Sequence, residues 1–399
     1  EYREDISTGT RAAAAGGYVV VAAMANTSPV IDNGPLLSWV LDEADKEAHV
    51  RVAQVGAISK GLQGEELAEI REMVAAGAAG FSDDGRPVSD AELLLQALRY
   101  VGGTGRPLLL HLENLSLSRD GVMHEGRWSA RLGLRGIPSV CESASLARDL
   151  EVIRYVAEEA SRRGLAAGRA GGEASAAGRM GSEGSSADYA VAKGLPWVHF
   201  QHLSAAESVR LLRQAKTEGL PVSAEVTPAH LLYSDERLAG FDPNLKVNPP
   251  LRGEEDREAL ITALAEGTID CIGTDHAPHA PQEKEVPLEQ ANSGSIGLET
   301  AFAAAYSALV ATGRLSLERL VTALSSGPAR VLGVAPPRLA EGAPADFCVA
   351  NLEEKWIVTP DTLCSKSRNC AFLGEEFTGR VCMTVVDGTR RYVRGRGEE

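Results

Sequence analysis

The residues best suited to chemistry lie in the stretch Cys271-Ile272-Gly273-Thr274-Asp275-His276-Ala277-Pro278-His279-Ala280. Residues 269 to 273 are mostly apolar and read as a short strand that stops at Thr274-Asp275. An acid and two histidines just past a buried strand can present ligands from its tip. An Asp there can hold a metal ion and take a proton from a water that the metal has activated. Pro278 stiffens the turn before His279. The plain structural alternative is a helix cap at Asp275 with two surface histidines. Three further potential ligands end apolar runs elsewhere: Asp84, His111 and His202. Carboxylates with imidazoles suit zinc or a similar divalent ion. Taken singly, Asp84 could be a turn residue before Gly85, and the two histidines satisfied core residues. Asn26 and Asn248 could each be a turn residue. Together, however, the acids and histidines recur at strand ends, which marks a site.

Those ends require elements to carry them. Strands are predicted over 18–24, 50–55, 78–81, 107–110, 197–201, 221–226 and 269–273. Helices are predicted over 8–15 (stopped by Gly16-Gly17), 36–48, 65–76, 90–101, 140–163, 205–217, 254–265, 298–311 and 316–324. Such alternation predicts parallel β/α units. Polar residues follow the strands at Asn26, Asp84, His111, His202, His230 and Asp275. A doubly wound sheet gathers ligands only at its switch point. A closed (β/α)₈ barrel brings every strand end to one face. The prediction is therefore an α/β protein with a TIM-like barrel over 1–335.

Residues 165–187 are dominated by Gly, Ala and Ser and read as a flexible insertion on the barrel face away from the site. Residues 336–399 change to a small β element, with strands over 346–350, 382–386 and 391–393 and a turn at Asp387-Gly388.

Composition narrows the function classes. The chain has 399 residues, 44% hydrophobic and 24% charged, with a net charge of −15. That balance argues against nucleic acid or an anionic membrane as the main partner. No apolar run is long enough to span a bilayer. The six cysteines form no Cys-x-x-Cys pair, which suits a reducing cytoplasm.

At this point the sequence resembles a known family. Its segments 8–17, Asn26-Thr27, 81–87, 111–113, 136–138, 202–204, 224–228, 246–252, 274–280 and 297–301 are similar to those of bacterial dihydroorotases of the long type, within the amidohydrolase superfamily. Lys246-Val247-Asn248-Pro249-Pro250-Leu251-Arg252 and the Thr274–His279 run are the most specific. The resemblance implies an amidohydrolase-type barrel and zinc-dependent interconversion of dihydroorotate and carbamoyl-aspartate. It implies two Zn²⁺ ions, with Asp84 bridging them, His111 and His202 on one ion, and Asp275 on the other as general base. It implies that Asn26, Asn248, His279 and the backbone at Ser293 and Gly294 hold the substrate. It also implies a cytoplasmic enzyme with a small-molecule substrate, as a homodimer or associated with aspartate transcarbamoylase.

The sequence departs from the family pattern in three places. The His-x-His-x-Arg motif is expected just before Glu1. Without it, the chain as it stands is expected to hold at most about one metal ion and to turn over poorly. Ala229 replaces a usual His, and Asn292-Ser293 a usual Pro-Phe. Two other readings compete. One is a non-catalytic dihydroorotase-like scaffold subunit, which would be expected to have lost its ligands. The other is a hydantoinase or allantoinase relative, which would be expected to carry a modified lysine where this chain has Asp84.

Overall fold

A computed structural model describes residues 3–162, 197–336 and 338–395. Its centre is a wall of parallel strands in sequence order. β1 (Val20–Ala23) pairs with β2 (Arg51–Gln54). β3 (Pro107–Leu110) begins a further set. β4 (Met123–His124) and β5 (Gly136–Ile137) pair with each other in an excursion above the wall. β6 (Trp197–Phe200), β7 (Val222–Val226) and β8 (Cys271–Ile272) then follow β3 in the order β3-β6-β7-β8.

The strand expected over 78–81 is reduced to a single bridged residue, Phe81, paired with Gly56 on one side and Leu108 on the other. It still fills its place in the wall. Ala79 donates to Gln54 at 2.8 Å, Phe81 donates to Pro107 at 3.0 Å, and Leu109 donates to Phe81 at 2.8 Å. Among the described residues, the outer edges of β1 and β8 have no strand partner. The wall strands β3 and β6 are buried at every position, as expected of parallel strands covered by helices.

The helices outside the wall form where their caps and apolar spacing dictate. Asn33 caps Gly34–Glu47, and Asp90 caps Ala91–Val101 through the amides of Glu92 and Leu93. Ala91–Val101 buries Leu93, Leu94, Ala97, Leu98 and Val101, one helical stripe. Each fully buried Leu in that stripe contributes roughly 2 kcal/mol. Among the described residues no helix is long and apolar enough to cross a membrane.

Three expectations need correction, and one segment holds helices that were not expected. The helix expected over 65–76 starts only at Ile70, because Ala68 donates to Ile58 and Leu67 bridges Ser59 in an extended segment. The helix expected over 298–311 is Ala301–Ala305, which continues as a wider π turn over Tyr306–Val310. The 111–139 excursion carries short helices Leu115–Ser118 and Arg127–Leu132 that the pattern did not suggest. The tail strands are longer than expected: β9 (Phe347–Ile357) and β10 (Glu376–Val386) have 11 residues each, and with β11 (Thr389–Val393) they form an antiparallel sheet in the order β11-β10-β9. The insertion read over 165–187 lies outside the described residues.

Candidate active site

Three strand tips bring Asp84, His111 and His202 together, with ligand atoms all within 4.8 Å of one another. His111 Nδ1 and His202 Nε2 stand 3.0 Å apart. Asp84 Oδ1 lies 3.6 Å from His202 Nε2 and 3.9 Å from His111 Nδ1. Burial opposes charge on Asp84, but the hydrogen bond and charge of His202, with His111 beside it, hold its carboxyl below the ordinary range. Burial likewise opposes charge on His202, yet Asp84, Asp275 and Glu225 outweigh it and raise the imidazole to about 9.

This group fits a divalent metal ion by its own hydrogen bonding. His111 Nε2 lies 3.1 Å from Glu113 Oε2, so the proton sits on Nε2 and the Nδ1 lone pair faces His202 and Asp84. A carboxylate that fixes a ligating histidine in this way is the usual support of a metal site.

Asp275 stands outside the three-residue group but within its field. Burial, with Asp84 and Glu225 adding to it against His202 and His111, raises the Asp275 carboxyl to about 6. Its backbone and that of His202 sit at φ of 45° and 35°, a region L-residues rarely adopt. Both turns are clamped. After His202, the buried Glu142 carboxylate accepts from the amides of Ser204 and Ala205 and from the Ser204 hydroxyl. Arg252 Nε donates to the same hydroxyl at 3.0 Å, and its Nη1 donates to Ile137 O at 2.7 Å. After Asp275, His276 Nδ1 accepts from the amides of Gly297 and Leu298, so its Nε2 carries the proton and donates to Glu4 at 2.6 Å. At Gly273, just before this turn, a Cβ would lie 2.5 Å from the Glu225 carboxyl, so a side chain there would displace that carboxylate.

The residues expected at the substrate are tied to the same face by hydrogen bonds. Asn26 Nδ2 donates to Asp84 Oδ2 at 3.4 Å. Asn248 Nδ2 donates to Glu113 Oε2 at 2.9 Å, which ties it to the carboxylate that supports His111. Beneath Asn248, buried His230 bridges Thr227 and the Pro249 carbonyl, and burial drives its pKa down to about 3. His279 Nε2 donates to Ser293 O at 2.8 Å, while its buried Nδ1 has no hydrogen-bond partner. Gly294 sits at φ of 132°, and a Cβ there would lie 2.9 Å from His279 Nε2. Its amide donates to Lys246 O at 2.8 Å, which joins this wall to the Asn248 segment.

Sequence reasoning missed Glu113, Glu142 and Glu225 as site residues. Glu113 had a signal: it lies two residues past His111, on the side of the chain that His111 faces. Its carboxyl falls to about 2, because hydrogen bonds from His111, Ser118 and Asn248 outweigh burial. Asp83, a carboxylate adjacent to Asp84, is a structural residue: it accepts from the Ile58 and Ser59 amides at 2.8 and 3.0 Å, and burial raises its carboxyl where that of Asp84 is lowered.

Comparison with known proteins adds an independent view. A family model described as Dihydro-orotase-like matches residues 1–158. The dihydroorotase of Geobacter sp. (strain M21) is 42% identical over 395 residues, covering 99% of this chain and 84% of its own. The dihydroorotase of Pelotomaculum thermopropionicum is 43% identical over 388 residues, covering 97% and 82%. Among solved structures, the L-hydantoinase of Arthrobacter aurescens superposes with a TM-score of 0.77 at 24% identity, covering 99% of this chain and 82% of that one. The D-hydantoinase of a Thermus species gives 0.73 at 21% identity, covering 99% and 82%. These structural likenesses carry the amidohydrolase barrel fold.

Proposed function

This chain belongs to the dihydroorotase family, and from that premise we propose how its residues divide the work of a cyclic amide hydrolase. The reaction interconverts (S)-dihydroorotate and N-carbamoyl-L-aspartate in pyrimidine biosynthesis. The observation that carries the assignment of roles is the Asp84–His111–His202 group at the face where Asp275 is raised to about 6.

Asp84, His111 and His202 would hold one divalent ion, and zinc is the metal this oxygen and nitrogen donor set suits. A second ion would draw on Asp84 and Asp275. When bound, such an ion lowers the pKa of a water from about 15.7 to about 7 and polarises a carbonyl. The rest is work for the chain. Asp275, a buried carboxylate at the same face, takes the proton of the attacking water on a carboxylate oxygen. The water oxygen bonds to the ring amide carbon, the carbon–nitrogen bond breaks, and Asp275 returns the proton to the departing nitrogen. Glu113 keeps His111 in the tautomer whose Nδ1 lone pair faces His202 and Asp84, and holds the Asn248 side-chain amide by its nitrogen. Asn26, Asn248, His279 and the backbone at Ser293 and Gly294 would bind the ring amides and the carboxylate.

Retention of Asp84, His111 and His202 supports an enzyme over a non-catalytic scaffold. The relatives at 42 and 43% identity are dihydroorotases, whereas the hydantoinases share only the fold at 24 and 21%. The acidic composition and the absence of Cys-x-x-Cys pairs support a cytoplasmic setting. Self-association, or association with aspartate transcarbamoylase, is the partnership this reading carries. The test is ring opening by the zinc-supplemented protein, offered dihydroorotate, hydantoin and allantoin in parallel. Dihydroorotate is expected to give the highest kcat/KM, and preference for hydantoin or allantoin would sink the reading.

A further inference from the structure

Two buried lysines stand behind the expected substrate wall, and neither makes an ion pair among the described residues. Lys246 is 8% exposed and Lys284 4%. A buried ammonium is costly, and a Met or Leu would fill the same space without that cost. The two ammoniums instead grip one loop. Lys246 Nζ donates to the carbonyls of Leu288 and Glu289 at 2.9 and 3.0 Å. Lys284 Nζ donates to the carbonyls of Asn292 and Gly294 at 2.7 and 2.9 Å.

We propose that Lys246 and Lys284 are positioning residues for substrate binding: they fix the shape of loop 285–294, and through it the place of Ser293 and Gly294 against His279. This rests on the dihydroorotase reading for the identity of the substrate.

The hydrogen bonds support that division of labour. The loop's own amides turn back on it or reach neighbouring segments: Gln290 and Ala291 donate to Pro287, Asn292 donates to Glu283 at its start, and Gly294 donates to Lys246 O. The carbonyls of residues 288, 289, 292 and 294 are taken by the two ammoniums, with Asn369 Nδ2 a longer second donor to Gly294 at 3.3 Å. Gly294 is thus held at both its amide and its carbonyl, where a Cβ would lie 2.7 Å from Ala277 Cβ and 2.9 Å from His279 Nε2. The Ser293 carbonyl in turn accepts the only proton that His279 needs to be neutral, leaving Nδ1 without a hydrogen bond, 3.5 Å from the Glu283 carboxylate. Neither lysine approaches Asp84, His111, His202 or Asp275 through any of these bonds. Loss of a lysine should therefore weaken substrate binding and spare the metal group and the chemical step.

The test uses the full chain as Lys284→Met and Lys246→Met. Removing two charge-assisted hydrogen bonds from a buried loop is expected to raise KM for dihydroorotate roughly 10- to 100-fold, with kcat within about 3-fold and metal content equal to the parent. Amide exchange at Asn292 and Gly294 is expected to speed up at least about 10-fold in Lys284→Met, while β10 amides stay as in the parent. A folded variant with unchanged KM, or with kcat reduced at constant KM, overturns the proposal. So does unchanged exchange in the loop, or failure of both variants to fold, which would make the lysines supports of the fold and not of the loop. The parent's choice among cyclic amides judges the family reading separately. The exchange comparison judges the lysines whichever amide the parent opens.

Discussion

Acid should act on this protein through His230, and the size of the effect follows from its surroundings. His230 is 2% exposed, with Thr227 Oγ1 2.7 Å from Nδ1 and the Pro249 carbonyl 2.9 Å from Nε2. Burial, reinforced by the nearby charges of His202 and Arg252, drives its pKa from 6.5 to about 3. The folded state therefore refuses a proton that the unfolded chain accepts. Above pH 6.5 neither state is protonated and the group contributes no pH dependence. Between pH 6.5 and about 3 the unfolded state holds one proton more, so stability falls as pH falls. The slope is about 1.4 kcal/mol per pH unit, or roughly 3 kcal/mol between pH 6.5 and 4.5. His230→Gln keeps an amide donor near the Nε2 position and removes the titration. Urea unfolding of both proteins at half-unit steps from pH 7.5 to 4.5 is the assay, and their difference isolates His230 from every other titrating group. The parent should lose stability more steeply than the variant below pH 6.5 by close to one proton. Parallel profiles would show that His230 is protonated in the fold or exposed to water, and the reasoning would fail.

Three further outcomes are expected. Asp275→Asn should lower kcat for dihydroorotate roughly 10²–10⁴-fold with little change in Tm, because Asn tolerates the left-handed backbone at this position; near-normal turnover would remove Asp275 from its role. Zinc at about 100-fold above its Kd should add roughly 2.7 kcal/mol to the stability of the parent and much less to His202→Ala, read as a metal-dependent Tm shift in one protein and not the other. Gly294→Ala should cost about 1–3 kcal/mol from its backbone conformation and raise KM for dihydroorotate, because its Cβ meets Ala277 and His279; an unchanged KM would show that the loop does not form the substrate wall.

The wall of strands was legible because parallel strands buried on both faces are apolar runs, and their ends are marked by the first polar residue. That is why β3 and the tips at His111, His202 and Asp275 read clearly. Legibility failed where a residue's role depends on a partner far along the chain. Glu113 and Asn248 are 135 residues apart, and nothing local reveals that one carboxylate serves both His111 and Asn248. Lys284 lies among Gln282, Glu283 and Glu285, a stretch that reads as solvated surface, yet it is buried against carbonyls. β9 was underestimated for a related reason: its Glu353-Glu354-Lys355 segment is largely exposed and lacks the apolar alternation that marks a strand.

The tail also takes part in the site, which its sequence did not suggest. Asn369 Oδ1 accepts the His279 amide at 3.0 Å, while Nδ2 donates to Ala277 O at 2.9 Å and to Gly294 O at 3.3 Å. Ser365 Oγ donates to Glu4, the same carboxylate that accepts from His276 beside Asp275. Residues 365–369 therefore join the first turn of the chain, the β8 tip and the substrate loop into one hydrogen-bonded unit. Asp275, the acid proposed to transfer the proton, sits in a rarely adopted backbone conformation and needs such support, because otherwise the local strain of about 1–3 kcal/mol would relax and move the carboxylate. The segment before β10 thus holds the His279 backbone directly through the Asn369 side chain and reaches His276, the neighbour of Asp275, through Glu4, bracing the chain that follows the two-residue β8.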